Sequence, residues 1–253
     1  MKNTKPTLFH SAKAQLFTVA AVAMIVAAGQ AKAQVINFDT PGGVGGTNFN
    51  GQGALSDPNN NYWNPIAFNN TTSSTGLESD GITSTGVTLT TAGLGNSYNP
   101  GQGGIGLAPD GTDLPVALFD PFAYTQAASP SYTLTLNNVA AGSYNLFLYA
   151  TNNDSGNLDS TVFTIGSQSL TVLNAGDTTF VEGSNYVEFT GISPVDGVIS
   201  ITATHGAAGV NGEIDFNGLQ LAAAEVPEPS AYALLLAGLG SMIVLLRNKR
   251  VRI

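Results

Sequence analysis

Between residues 131 and 222 apolar and polar side chains alternate in short runs, the two-residue period of strands that bury one face. Residues 131–136 set Tyr132, Leu134 and Leu136 against Thr133 and Thr135. Ala140, Ala141 and Gly142 make a turn, and 143–151 (SYNLFLYAT) return as a strongly hydrophobic strand. Further strands are expected at 160–165, 168–173, 179–181, 185–190, 198–204 and 213–222. Asn211-Gly212 and Asn217-Gly218 suit turn or bulge positions. Upstream the pattern is weaker. PGGVGG (41–46), DPNNNYWNP (57–65) and NPGQGG (99–104) are loop sequences, which leaves strands at 35–39 and at 86–91, where Val87 and Leu89 alternate with Thr88 and Thr90. Short strands with Gly, Asn and Asp turns, and no long helical pattern, predict an all-β fold: an antiparallel β-sandwich, jelly-roll-like, over residues 34–225.

The two ends of the chain follow other rules. Lys2, Lys5 and Lys13 precede an apolar run at 16–28 (LFTVAAVAMIVAA), and Ala31-Lys32-Ala33 follows with small residues at both positions a signal peptidase reads. This order predicts a signal peptide over 1–33, with cleavage after Ala33 leaving Gln34 as the new N-terminus. The run is short for a bilayer span, which needs about 20 residues. At the other end, 230–246 is apolar on every face, where a core helix would show a polar stripe. It predicts one transmembrane helix. Arg247, Lys249, Arg250 and Arg252 directly after it act as a basic stop and keep the 247–252 tail cytoplasmic, with everything before the helix outside.

Immediately before that segment stand Val226-Pro227-Glu228-Pro229-Ser230. Pro-Glu-Pro, a single hydrophobic helix and an Arg-rich end, in that order, resemble the PEP-CTERM sorting signal of Gram-negative bacteria over residues 226–252. The resemblance implies a substrate of exosortase, a membrane-embedded cysteine transpeptidase. It makes Pro227, Glu228 and Pro229 the motif that is recognised, not catalytic machinery. Prolines cannot enter a helix interior, so they hold the motif extended at the membrane surface. The run 215–221 (DFNGLQL) is similar to the closing strand of galactose-binding-like and malectin-like jelly rolls, which bears on the fold more than on any binding. Hardly any linker separates it from Pro-Glu-Pro.

Charge is partitioned. No Lys or Arg lies between Lys32 and Arg247, and all seventeen acidic residues lie inside that gap. Nucleic-acid binding is excluded for the ectodomain, because phosphate contacts need cations. Anionic polysaccharide would need divalent cations as a bridge. The chain has no cysteine, so an exported domain must hold itself together by core burial, with bound metal as a supplement.

Catalytic chemistry is sparse. With His10 in the signal peptide, His205 is the one histidine of the mature chain, and no G-x-S-x-G elbow accompanies it. Gly101-x-Gly103-x-x-Gly106 spells a dinucleotide fingerprint but follows Asn99-Pro100 rather than a strand, so it reads as a glycine loop. Glu182, Glu188, Glu213 and Asp215 offer carboxylates for glycoside hydrolysis, which requires two at a defined separation. The segment 152–159 carries Asn152, Asp154 and Asp159 as candidate Ca²⁺ ligands around Gly156; its other reading is a plain turn. Asp110-Gly111-Thr112-Asp113 is a thinner version of the same. Tyr62 and Trp63, in an Asn-rich loop, are candidate glycan contacts or plugs that seat the loop on the core. Tyr144, Phe147 and Tyr149 read as strand residues.

The expectation is therefore an exported, non-enzymatic protein of the cell surface or exopolysaccharide matrix. It is held in the inner membrane by its C-terminal helix and then released to the outer surface by processing. Its partners are an exosortase-type transpeptidase and, as candidates, exopolysaccharide or another glycan. An extracellular carbohydrate-binding module is the alternative, and a surface hydrolase using His205 or an acid pair a further one.

Overall fold

The computed structural model describes residues 35–40, 51–55, 62–66, 73–98, 118–119, 122–125, 131–151, 159–173, 179–207, 212–224 and Gly238. The chain divides into two units, Ala33–Ala224 and a second made of Met1–Lys32 with Glu225–Ile253. Apart from Gly238 the second unit lies outside the described residues, and with it the expected signal peptide, transmembrane segment and basic stop. Among the described residues no helix is long and apolar enough to cross a membrane.

The first unit is all-β. Its strands are β1 (Val35–Asp39), β2 (Asn64–Pro65), β3 (Ser73–Leu77), β4 (Ser84–Ala92), β5 (Asn96–Tyr98), β6 (Phe122–Thr125) and β7 (Ser131–Asn137). They continue with β8 (Tyr144–Tyr149), β9 (Thr161–Ile165), β10 (Gln168–Val172), β11 (Tyr186–Ile192), β12 (Ile199–His205), β13 (Ile214–Phe216) and β14 (Gly218–Ala223). One sheet has the order β11-β8-β14-β1-β2, a second β10-β9-β12-β7-β4-β3, and a small third β13-β6-β5. Neighbours are antiparallel except β1 and β2, which are parallel.

Alternation decides which residues face inward. In β7 the buried positions are Tyr132, Leu134 and Leu136, with the threonines between them half-buried. The main core draws on both large sheets: Ile36 and Phe38, Leu146 and Leu148, Phe189, Leu219 and Leu221 from one, and Leu89, Leu134, Phe163 and Ile201 from the other. Two sheets sharing one apolar interior make a sandwich. At roughly 1.5–3 kcal/mol per large side chain taken from water, this burial stabilises a domain without disulfides.

The expected strands at 35–39, 86–91, 131–136, 143–151, 160–165, 168–173, 185–190 and 198–204 are present to within a residue or two. Two expectations are corrected. Residues 179–181 are not a strand; only an isolated bridge from Glu182 to Tyr186 lies there. The expected strand at 213–222 is two strands in different sheets, divided at Asn217. A Cβ on Gly218 would sit 2.5 Å from the Phe38 carbonyl oxygen, so the approach of β14 to β1 admits only glycine there.

Register assigns each turn to an end of the sandwich. Val35 pairs with Ala222, Ala223 with Tyr144, and Ala224 N donates to Ser143 O at 2.8 Å, so both termini of the unit emerge together. The turns at 78–83, 138–143 and 193–198 share that end. The opposite end carries Asp39, Gly218, Tyr149, Thr161 and His205.

Candidate functional site

The five-stranded sheet buries both faces. Leu146 and Leu148 of β8 enter the main core, whereas Phe147 and Tyr149 point the other way into a second cluster with Trp63, Leu118 and Phe119. Trp63 is fully buried and its Nε1 donates to Gly51 O at 2.9 Å. Its ring meets Tyr149 edge to face at 5.8 Å. That is the plug of its two readings: the indole holds 51–55 against the sheet. Tyr62 is half-buried, with its ring against Gly81.

Polar side chains beneath this strip form a closed network that the sequence reading missed. The Tyr149 hydroxyl donates to Gln220 Oε1 and accepts from Ala54 N at 2.8 Å. Gln220 Oε1 also accepts from Leu55 N (3.2 Å), and its Nε2 donates to Asn37 Oδ1 (3.0 Å). Asn37 Nδ2 donates to Tyr62 O (3.0 Å), and Asn64 bonds Asn37 O and both backbone groups of Leu77 at 2.8–2.9 Å. Burial pushes the Tyr149 hydroxyl well above its ordinary value, so it stays a protonated donor. The signal was present in VINFD and GLQLAA, where an amide alternates with apolar residues in a strand and so lies on its second face.

Toward the edge strand β11 the same face opens. Tyr186 is half-buried and lies 5.9 Å from Tyr149, 6.2 Å from Phe147 and 6.3 Å from Phe180. Glu188 lies beside it on the outward face of β11, and Glu182 is exposed nearby. Burial, then the charge of Glu182, raises the Glu188 pKa above the usual carboxylate value. Burial and both glutamates raise that of Tyr186.

The remaining candidates gather at the opposite end. His205 closes β12 and its Nε2 lies 3.4 Å from Asp159 Oδ1, within hydrogen-bond reach. Asp159 is buried, and its Oδ2 accepts from Glu213 N at 3.4 Å. His205 is thus tied to the fold at the end of β12. Asn152 and Asp154 lie outside the described residues, as do residues 110–113. Among the described residues no group of three or more His, Asp or Glu is placed to hold a metal ion. Asp215 is buried in β13, and its carbonyl accepts from the Tyr132 hydroxyl at 2.9 Å. Of the four acids considered for hydrolysis, Glu182 bears on Glu188 through its charge, while Glu213 meets Asp159 through its backbone N and Asp215 meets the Tyr132 hydroxyl through its carbonyl.

Two solved structures share a distant likeness. One is described as the crystal structure of the plant receptor-like kinase FER, at TM-score 0.43 and 16% identity. It is matched over 76% of this chain, which spans 42% of that chain's length. The other is TmCBM61 in complex with β-1,4-galactotriose, at TM-score 0.25 and 12% identity, over 53% of this chain and 77% of that one. No curated protein matches the sequence. A family description does match at the C-terminus, over residues 225–250, which take in Pro227-Glu228-Pro229, the apolar run, Arg247, Lys249 and Arg250. Residues 225–250 are a PEP-CTERM protein-sorting motif, the mark of an exported chain sorted by exosortase.

Proposed function

We infer that this is an exported, non-enzymatic protein of the cell surface or exopolysaccharide matrix, whose jelly-roll-like sandwich is delivered by its C-terminal sorting signal. The observation that carries the reading is the motif at 225–250, which follows within two residues of the last strand. Residues 230–246 hold the chain in the inner membrane, the basic tail stays cytoplasmic, and an exosortase-type transpeptidase acts at Pro227-Glu228-Pro229. Changing those three residues to alanine in the native host tests this. The variant is expected to keep its C-terminal segment and remain membrane-bound; unchanged mass and unchanged membrane association relative to the parent protein would refute the processing step.

Carbohydrate binding is the second reading, favoured by the half-buried Tyr186 ring beside Glu182 and Glu188 on the outward face of β11. A ring of this kind can stack on a sugar while carboxylates accept its hydroxyls. Saturable binding to an exopolysaccharide that is lost on Tyr186→Ala would support it; binding untouched by that change would remove it.

A further inference from the structure

Two bare apolar tips project from the end of the sandwich at which the chain runs on into its sorting motif. Ser79 N donates to Val35 O at 2.8 Å and draws the 78–83 turn to that end; Val139 N donates to Gly197 O at 2.9 Å and does the same for 193–198. Ile82 is 84% exposed at the tip of the first turn and Val195 74% exposed at the second, the two most exposed large apolar side chains among the described residues. Ala140 and Ala141 are exposed at the same end.

Turn tips are ordinarily polar. Here the polar residues are occupied with backbone. Asp80 Oδ1 accepts from Ile82 N and Thr83 N, both at 2.8 Å, and its Oδ2 accepts from Thr83 Oγ1 at 2.7 Å. The carboxylate is therefore turned into the loop and Ile82 out of it. Asp196 and Gly197, at φ 52° and 77°, are the two left-handed positions of a hairpin turn closed by reciprocal Val195–Val198 backbone bonds. Neither Ile82 nor Val195 gains burial within the fold. Residue 225 follows Ala224 directly, and the apolar run begins at Ala231, so this end cannot travel far from whatever holds that run.

We propose that this end of the domain docks on the lipid surface, with Ile82 and Val195 seated among the headgroups while the chain is anchored. The inference rests on the membrane-helix reading given above. With no Lys or Arg in the domain, the contact is apolar and does not require anionic lipid. Two small contacts suffice because the anchor makes docking intramolecular, at high effective concentration.

The absence of cysteine makes the test clean. Ile82→Cys, Val195→Cys, Leu173→Cys and Ser241→Cys, each in the full chain, are labelled with an environment-sensitive fluorophore. Each is then placed in phosphatidylcholine vesicles with and without nitroxide lipid. Leu173 is 55% exposed and follows Val172, which pairs with Thr161 at the opposite end. The labels at 82, 195 and 241 are expected to lose emission to the nitroxide, and the label at 173 to keep it. Loss at 241 with none at 82 and 195 overturns the docking and leaves the anchor standing. No loss at 241 overturns both.

Discussion

Trp63 and Tyr149 meet edge to face beneath a strip of backbone that their polar atoms hold in place. Replacing Trp63 with alanine should cost about 3–5 kcal/mol, the range for emptying a large aromatic site in a core. The urea midpoint of the domain measures it, and a loss of stability under 1 kcal/mol would contradict the plug assignment. Glu188 makes a prediction of opposite sign. Its carboxyl is held above its ordinary pKa by burial and by Glu182, so the folded state favours the protonated form. Stability from this group is fully present below the unfolded pKa and is lost as pH rises through the folded one. Glu188→Gln should therefore be more stable than the parent at neutral pH, with the gain vanishing near pH 4, the ordinary carboxylate range. Denaturation midpoints at the two pH values read this directly.

At the scale of elements, Asn217 decides how the last third of the fold is laid out. It is buried; its Oδ1 accepts from Thr151 N at 2.6 Å and its Nδ2 donates to Phe119 O at 3.4 Å. Its own N and O bond Tyr149 and Thr40, so the chain can leave β13 in one sheet and enter β14 in another without stranding polar groups. Asn217→Ala removes the side-chain bonds to Thr151 N and Phe119 O, at a cost of roughly 1–3 kcal/mol measured by chemical denaturation. The sequence announced this place as an Asn-Gly pair but not what it does, because local pattern cannot tell a bulge from a change of sheet. For the same reason β7, β8, β9 and β12 were legible, their alternation being set by burial of one face. The strands β2, β3 and β5 were not: NP, SSTGL and NSY carry almost no apolar signal, and partner strands define them. Phe180 and Tyr186 also escaped notice, since their meeting with Phe119, Phe147 and Tyr149 depends on how 179–181 folds over the sheet.

For the whole molecule, charge is the governing fact. With every cationic Lys and Arg confined to the two termini, the acids of the sandwich repel one another with no answering Lys or Arg. Screening should relieve this, since the Debye length falls to about 10 Å at 0.1 M salt and about 3 Å at 1 M. Melting temperature is expected to rise with sodium chloride, and calcium chloride at matched ionic strength to do the same. A rise specific to calcium would report ligation by the 152–159 segment instead of screening. The same charge partition leaves no tryptic site between Lys32 and Arg247, so trypsin cannot cut within the domain even when it is unfolded.

That resistance makes the termini easy to read, and the termini test the central claim. Intact mass of the protein recovered from the host's envelope and medium should give a chain that begins at Gln34 and ends near Pro227-Glu228-Pro229, with the apolar segment gone. A mature chain still ending at Ile253 would mean a permanent anchor and would contradict sorting by processing.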